Sequence, residues 1–242
     1  RLMPAGPAFY EFFAGGGMAR AGLGEGWQAL LANDIDPSKA ASYRANWGTD
    51  DFKLGDIADL TTADLPGRAD LAWASFPCQD LSLAGGRRGL AGARSGMFWA
   101  FWRLIEDLER EGRAPDLIAI ENVAGLLTSN QGRDFEALAE AIASAGYAFT
   151  AFVIDAAQFL PQSRPRLFVV ASRKGFPVAE TPAFHPPALM RAVANLSSAT
   201  KDAWQNVWLP DPPAKNSDLA SIIEPDSQDI RWRSNADTKA LI

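Results

Sequence analysis

The feature that most constrains the fold of this chain is an alternation of short apolar runs with helical patterns between residues 8 and about 171. Apolar runs of about four to eight residues predict buried strands, and apolar residues at helical spacing, such as Phe135, Leu138 and Ile142, predict amphipathic helices. Strands that alternate with helices predict an α/β fold: a doubly wound, mostly parallel sheet with helices on both faces. The predicted strands are residues 8–13, 28–33, 71–76, 117–120, 148–154 and 166–171, and the predicted helices begin near residues 18, 37, 96 and 132.

The alternating pattern weakens after about Arg173. Prolines interrupt the chain at positions 177, 182, 186, 187, 210, 212 and 213. The sequence has 242 residues and is 48% hydrophobic, which is enough for one substantial core with a small appendage. We therefore expect one domain over residues 1–175 and an irregular, proline-rich segment over residues 176–242.

The composition excludes several kinds of site. With one cysteine, Cys78, the chain has no internal disulfide and no thiolate metal cluster; with one histidine, His185, we expect no metal site and place that residue in a surface loop. No apolar run approaches the roughly 20 residues of a membrane span, and the first residues lack a secretory pattern, so we expect a cytoplasmic protein that contacts no membrane. The net charge of −6 argues mildly against nucleic acid, because phosphates bind Lys and Arg.

A glycine-rich stretch, Phe-Ala-Gly-Gly-Gly at residues 13–17, follows the first predicted strand. Glycines there permit a tight turn and let a ligand approach the backbone. Asp34 ends the second predicted strand, where an acidic residue usually binds ribose hydroxyls, and Asp56 is a further acidic strand end. The loop lacks the third glycine of a dinucleotide site and a phosphate-binding lysine, which favours S-adenosylmethionine over NAD. The alternative is ordinary turn glycines and helix-capping aspartates.

Cys78 follows Pro77 at the end of the third predicted strand. A lone cysteine is by default a small buried hydrophobic residue, but this position predicts exposure to a cleft. The glycine-rich loop of residues 83–95 that follows carries Arg87, Arg88 and Arg94. Positive charge nearby favours the reactive thiolate, and a mobile basic loop is typical of a lid that closes over a polyanion.

Two further polar motifs fall at strand ends. Glu121, Asn122 and Val123 end the next strand, and a carboxyl group there can serve as an acid or a hydrogen-bond partner. The stretch Gln-Ser-Arg-Pro-Arg at residues 162–166 adds two guanidinium groups at the start of the last strand. Because ligands of such sheets lie beyond the carboxyl ends of the strands, we expect these groups to converge with Cys78. The alternative is a set of solvated strand ends.

The order of these motifs over about residues 8–173 resembles the DNA cytosine-5 methyltransferase family. The resemblance implies a fold of the class I S-adenosylmethionine-dependent methyltransferase type, with residues 1–175 as the catalytic and cofactor-binding domain and S-adenosylhomocysteine as a product. It implies catalytic roles for Cys78, Glu121, Arg164 and Arg166. The cofactor-binding residues would be Phe13, Ala14, Gly15, Gly17, Asp34, Ile35, Asp56, Ile57, Pro77 and Met97. The substrate-binding residues would be Gln79, Ser82, Arg94, Asn122 and Gln162.

The resemblance also implies a mechanism. The Cys78 thiolate would add to carbon 6 of cytosine and make carbon 5 nucleophilic, while Glu121 hydrogen-bonds N3 and the exocyclic amine. Arg166 would hold the base O2 and orient Glu121, and Arg164 would contact phosphate. The target base cannot be reached inside double-stranded DNA, so it would be flipped out, and the loop of residues 83–95 would close behind it.

The sequence departs from the family pattern in two ways. The approach to Gln162 is Phe-Leu-Pro at residues 159–161, where the family usually has a glycine and one more residue, so we expect an altered turn with Gln162 in place. The family's target-recognition domain and its Gly-Asn-Ser motif are not visible, although residues 219–224 resemble the segment that precedes that domain. The sequence would then be truncated, proteolysed or partnered by a separate recognition chain, and much of the DNA-contacting surface would lie elsewhere.

Three functions remain open at this point. The first is methylation of cytosine in duplex DNA by a bacterial enzyme linked to restriction-modification or self-marking. The second is methylation of cytosine in tRNA on the same scaffold. The third is a non-enzymatic accessory subunit, against which the presence of both Cys78 and Glu121 argues.

Overall fold

The computed structural model describes residues 6–77, 96–177, 184–214 and 218–222. Within these ranges the chain forms a seven-stranded sheet of order β3-β2-β1-β4-β5-β7-β6. β7 is antiparallel to β5 and β6, and the other pairs, β1 with β2, β1 with β4, β2 with β3 and β4 with β5, are parallel. The strands are β1 Ala8–Phe12, β2 Gln28–Asp34, β3 Phe52–Leu54, β4 Leu71–Ala74, β5 Leu117–Val123, β6 Ala148–Asp155 and β7 Pro165–Ser172.

The first four helices connect the strands in the order that the sequence predicts, and three more helices follow the last strand in the described residues. They are α1 Met18–Leu23, α2 Pro37–Trp47, α3 Met97–Arg110, α4 Arg133–Ser144, α5 Pro187–Asn195, α6 Ser198–Asp202 and α7 Leu219–Ile222. α2 illustrates why a helix begins where it does: the Asp36 carboxylate accepts from Ser38 N at 2.8 Å, and Pro37 occupies the first turn, where its missing N–H costs nothing. None of the described helices is long and apolar enough to cross a membrane.

The core lies on both faces of the sheet. Alternate residues of β1 point to opposite sides: Tyr10 and Phe12 belong to the large cluster with α3, α4 and α5, whereas Phe9 packs with Leu71 and Ala119. α2 packs on the latter side of the sheet through Ala40 and Tyr43, which contact β2 and β3. The predicted doubly wound, mostly parallel sheet with helices on both faces is confirmed.

Two details of the predicted strands are corrected. β3 was not predicted as a strand, because it has only three residues and only Phe52 of them is buried. β5 runs on to Val123, three residues beyond the predicted range of 117–120, so Glu121 and Asn122 lie inside its last part. Their pairing with Phe168 and Leu167 of β7 holds both residues in extended conformation.

The segment predicted to be irregular contains two helices that pack on the main core. Leu189 of α5 is fully buried there, together with Val193 and Leu196. Prolines 186 and 187 were taken as breaks, but they stand at the start of α5, where proline fits. His185 lies in a loop as predicted, yet it is half-buried against Trp204, with 5.6 Å between the ring centroids.

Candidate active site

The predicted motifs meet at one edge of the sheet. The carboxyl ends of the parallel strands β1 to β5 share this edge, and β7, which runs the opposite way, brings its amino end there. Val123 at the end of β5 pairs with Arg166 near the start of β7. The arrangement places the glycine-rich stretch, Glu121 and Arg166 on the same side of the fold, where open α/β sheets bind ligands.

The glycine-rich stretch forms a turn with three residues in the left-handed region. Phe13 has φ 58°, Gly15 has φ 56° and Gly17 has φ 83°. A left-handed phenylalanine is uncommon and costs free energy, on the order of 1–3 kcal/mol. Backbone hydrogen bonds hold the turn: Ala14 N donates to Asn33 O at 2.9 Å, and Gly17 N donates to Ala14 O at 2.8 Å.

A cavity of about 270 Å³ lies beside this turn, where the ends of β1 to β4 meet the start of α3. Seven of the ten residues predicted to bind the cofactor line it: Phe13, Asp34, Ile35, Asp56, Ile57, Pro77 and Met97. The other three, Ala14, Gly15 and Gly17, form the turn next to it rather than its wall. Four lining residues were not predicted: Asn33, Lys39, Gly55 and Ser75. A second cavity of about 450 Å³, lined also by Trp99, Arg103 and Glu106, shares Asp56 and Met97 with the first.

The Asp34 carboxylate organises the cavity wall. It is 4% exposed, and its Oδ2 accepts from Gly15 N and its Oδ1 from Asp36 N, both at 2.9 Å. The neighbouring Asn33 amide donates to the carbonyls of Lys53 and Gly55, both at 3.0 Å. Asn33 therefore ties the end of β2 to the end of β3, which precedes Asp56. Its role was not visible in the sequence, because an amide that bonds only to backbone leaves no motif.

The side chains beside the cavity combine polar and apolar contacts. Asp56 accepts from Ala58 N at 2.9 Å and so caps the short helical turn that follows. Ile35 is 59% exposed although it is apolar, and it lies at the cavity. An exposed apolar side chain beside two carboxylates suits a ligand that has both a flat ring and hydroxyl groups.

Glu121 and Arg166 form an ion pair at the same edge. Arg166 Nε lies 2.9 Å from Glu121 Oε1, and the two side chains are 20% and 23% exposed. They meet because they stand two positions apart diagonally on neighbouring strands, where long side chains can touch. Arg166 also donates through Nη1 to the carbonyl of Pro165 at 2.9 Å. The planar guanidinium thus fixes one carboxylate oxygen of Glu121 and leaves the other free of this contact.

Asn122 is buried and bonded to the backbone at both polar atoms of its side chain. The sequence analysis assigned it to substrate binding, but it is 3% exposed and its Nδ2 donates to the carbonyl of Phe76 at 2.9 Å. Its Oδ1 accepts from Val123 N at 2.9 Å. Asn122 therefore anchors the chain just before Pro77.

The turn before β7 is held by a residue that the sequence analysis did not single out. The Asp155 carboxylate accepts from Arg164 N at 2.7 Å, from Ala157 N at 2.9 Å and from Ser163 Oγ at 3.1 Å. Gln162 and Arg164 are both exposed in this turn. The predicted residues Cys78, Gln79, Ser82 and Arg94, and the loop of residues 83–95, lie outside the described residues. Pro77, which precedes Cys78 in the sequence, lines the cavity.

Comparison with known proteins places the chain in a family. The family model for the C-5 cytosine-specific DNA methylase matches residues 8–238. The chain belongs to this family. The similar proteins include the type II methyltransferases M.BsuFI of Bacillus subtilis, 33% identical over 164 residues, and M.Eco47II of Escherichia coli, 30% identical over 194 residues. These matches cover 67% and 79% of this chain, and 38% and 45% of the two relatives, so the chain spans less than half of their length.

Solved methyltransferase structures share the fold. The S. pombe Dnmt2 methyltransferase superposes with a TM-score of 0.56 at 27% identity and covers 69% of this chain and 50% of that one. A Spodoptera frugiperda DNMT2 mutant superposes with a TM-score of 0.60 at 21% identity, over 91% of this chain and 60% of that one. The predicted family and the class I methyltransferase fold are both confirmed.

Proposed function

We propose that this member of the C-5 cytosine-specific methylase family transfers a methyl group from S-adenosylmethionine to carbon 5 of a flipped-out cytosine in duplex DNA. The observation that carries the proposal is that the cavity and the Glu121–Arg166 ion pair lie at the same edge of the sheet. In the ion pair, Arg166 Nε is 2.9 Å from Glu121 Oε1. The relatives named as type II methyltransferases favour a role in restriction-modification.

The cavity fits the cofactor by the chemistry of its wall. S-adenosylmethionine has a ribose and an adenine but no phosphate, and when bound it supplies an electrophilic methyl group on sulfur. Asp34 would accept from the ribose hydroxyls and Asp56 from the adenine amine, while Ile35 and Met97 offer apolar contacts to the flat ring. The turn of residues 13–17 would pass close to the amino-acid part, since glycines allow a ligand to approach backbone.

Glu121 and Arg166 would hold the target cytosine. Glu121 would accept from the exocyclic amine and share a proton with N3, and this proton draws electron density out of the ring. Arg166 meets the base O2, so the ion pair orients both groups before the base arrives. Pre-organised groups of this kind stabilise the charge that develops as a nucleophile adds to the ring.

Cys78 would be that nucleophile. Its thiolate forms a bond to carbon 6, which makes carbon 5 nucleophilic toward the methyl group. After transfer a base removes the proton from carbon 5, the carbon–sulfur bond breaks, and the thiolate leaves. Asn122 supports this step indirectly, because its bond to the Phe76 carbonyl anchors the chain that leads to Pro77 and Cys78. Gln79, Ser82, Arg94, Gln162 and Arg164 would contact the substrate strand, and Arg164 would do so through a phosphate.

A cytosine in tRNA is the second candidate target. The likeness to the S. pombe Dnmt2 structure fits this candidate, and the residues that would grip the base do not distinguish the two nucleic acids. The ion pair and the cavity would serve either substrate. The choice therefore depends on contacts outside the base itself.

Transfer of a labelled methyl group tests the proposal. Wild type, Cys78→Ala and the exposed helix variant Glu140→Gln are each offered duplex DNA and bulk tRNA. We expect label in DNA with wild type and Glu140→Gln, and none with Cys78→Ala, which still binds S-adenosylhomocysteine in calorimetry. Turnover by Cys78→Ala contradicts the covalent step, and label in tRNA alone favours the second candidate.

A further inference from the structure

We propose that Trp47 is a positioning residue of the cofactor site, whose indole N–H holds the turn of residues 13–17 in the conformation that binds the ligand. Trp47 ends α2 and lies behind this turn, and neither the sequence motifs nor the cavity lining include it. The inference rests on the proposed function, because it assigns that turn to S-adenosylmethionine.

The turn needs external support. Phe13, Gly15 and Gly17 all have positive φ, and a left-handed phenylalanine persists only where the surroundings hold it. The strands supply part of that support: Gly15 N is bound by Asp34 and Ala14 N by the Asn33 carbonyl. These bonds fix two successive residues in the first half of the turn. The Gly16 carbonyl, in its second half, takes its donor from another element.

Trp47 supplies this donor. Its Nε1 lies 3.0 Å from the Gly16 carbonyl oxygen, a normal hydrogen-bond distance. The backbone of the turn lies close to the side chains of α2 at both glycines. A Cβ built on Gly17 would lie 2.3 Å from Trp47 Nε1, and one built on Gly16 would lie 3.2 Å from Ser42 Oγ. The end of α2 therefore packs directly against the backbone of the turn, and glycine at position 17 is required by space as well as by φ.

The indole ring is itself held in place. The Arg20 guanidinium stacks over it, with its Cζ 4.9 Å from the ring centroid. Arg20 in turn donates to Tyr43 Oη at 2.7 Å and pairs with Asp51 at 2.6 Å. These partners come from α2 and from the residue just before β3, so the ring orientation is set by the fold before any ligand binds. A support fixed in this way lowers the cost of ordering the turn on binding.

Trp47→Phe tests the inference because it keeps an aromatic ring under Arg20 and removes the indole donor, together with a loss of ring volume that the control variant shares. Trp27→Phe is the matched control, since Trp27 also packs near β1, edge-on to Phe9 with 6.4 Å between centroids, but away from the turn. We expect Trp47→Phe to bind S-adenosylhomocysteine about tenfold more weakly in calorimetry, the effect of leaving a partly buried carbonyl unpaired. Trp27→Phe should match wild type.

Amide hydrogen exchange without ligand gives a second readout. In Trp47→Phe, exchange should quicken in the peptide that spans residues 13–19 and stay unchanged in α4, whereas a general structural defect would lower the melting temperature and quicken both. Equal affinity of Trp47→Phe and wild type, or unchanged exchange in residues 13–19, overturns the inference, as does an equal loss of affinity in Trp27→Phe. If wild type binds no S-adenosylhomocysteine, the assignment of the cofactor fails and this inference fails with it. If wild type binds S-adenosylhomocysteine, the comparison of the two variants tests the role of Trp47 alone.

Discussion

At the scale of single residues, the site depends on one side chain orienting another. Arg166 holds Glu121 through Nε and the Pro165 carbonyl through Nη1, so its planar group is bound on two sides. A lysine could keep the charge but offers a point charge on a flexible stem in place of this fork. The free oxygen of Glu121 would then lose its fixed direction.

Arg166→Lys should therefore lower the methyl-transfer rate more than it lowers cofactor affinity. We expect kcat to fall on the order of a hundredfold, the usual effect of removing one pre-organised donor, while the affinity for S-adenosylhomocysteine stays near that of wild type. Steady-state kinetics and calorimetry measure the two quantities. Arg191→Lys, at an exposed position of α5, is the control. A kcat close to that of wild type would show that the ion pair is not part of the chemistry.

Glu11 is a buried acid that the proposed chemistry does not use. It lies in β1 at 2% exposure, and burial raises its pKa to about 7, although Ala19 N donates to it at 3.2 Å. Its other oxygen, Oε2, has no partner among the described residues. The folded protein therefore holds this proton at a pH where the unfolded chain has released it.

The sign of the pH dependence follows from this shift. Because the folded pKa is raised, the contribution of Glu11 to stability is fully present below its unfolded pKa of about 4.5 and is lost as pH rises to about 7. From pH 5.5 to 8, wild type should lose about 2 kcal/mol more unfolding free energy than Glu11→Gln. Urea unfolding at several pH values measures this, with Glu140→Gln as the control. Parallel pH profiles for wild type and Glu11→Gln would rule the effect out.

At the scale of secondary-structure elements, the periodicity of apolar residues predicted most strands and the edge where they end. It located Asp34, Asp56 and Glu121 at that edge, and the cavity contains the two aspartates. It missed β3, since three residues give no periodicity, and it missed α5, since prolines 186 and 187 were taken as breaks. Contacts made through backbone atoms, such as those of Asn33, Asn122 and Asp155, could not be predicted, because they depend on which carbonyl or N–H the folded chain brings near.

α5 should prove to be part of the core. Leu189 is fully buried, whereas the next residue, Met190, is 41% exposed. Leu189→Ala should lower the free energy of unfolding by about 2–5 kcal/mol, because it leaves a cavity, and Met190→Ala by less than about 1 kcal/mol. Chemical denaturation of both variants measures the difference. Similar small losses in the two would mean that residues 187–195 do not contribute to the core in solution.

At the scale of the whole molecule, the strand order explains how distant motifs share one site. β7 lies between β5 and β6 and runs against both, so Arg166 near its start arrives beside Glu121. Residues 13–97 supply the cavity, and residues 121–166 supply the groups that would hold the base. The net charge of −6 does not argue against binding of nucleic acid at this edge, because electrostatic attraction to phosphate depends on local charge. Arg164 is exposed here and Arg166 is partly exposed.

The most direct test of the central claim is to identify the methylated nucleoside. Duplex DNA incubated with the protein and S-adenosylmethionine is digested to nucleosides and separated by mass spectrometry against authentic standards. The account predicts 5-methyldeoxycytidine, formed in step with S-adenosylhomocysteine and absent with Cys78→Ala. Methylation at N4 of cytosine or at N6 of adenine, or 5-methylcytidine in tRNA with none in DNA, would contradict it.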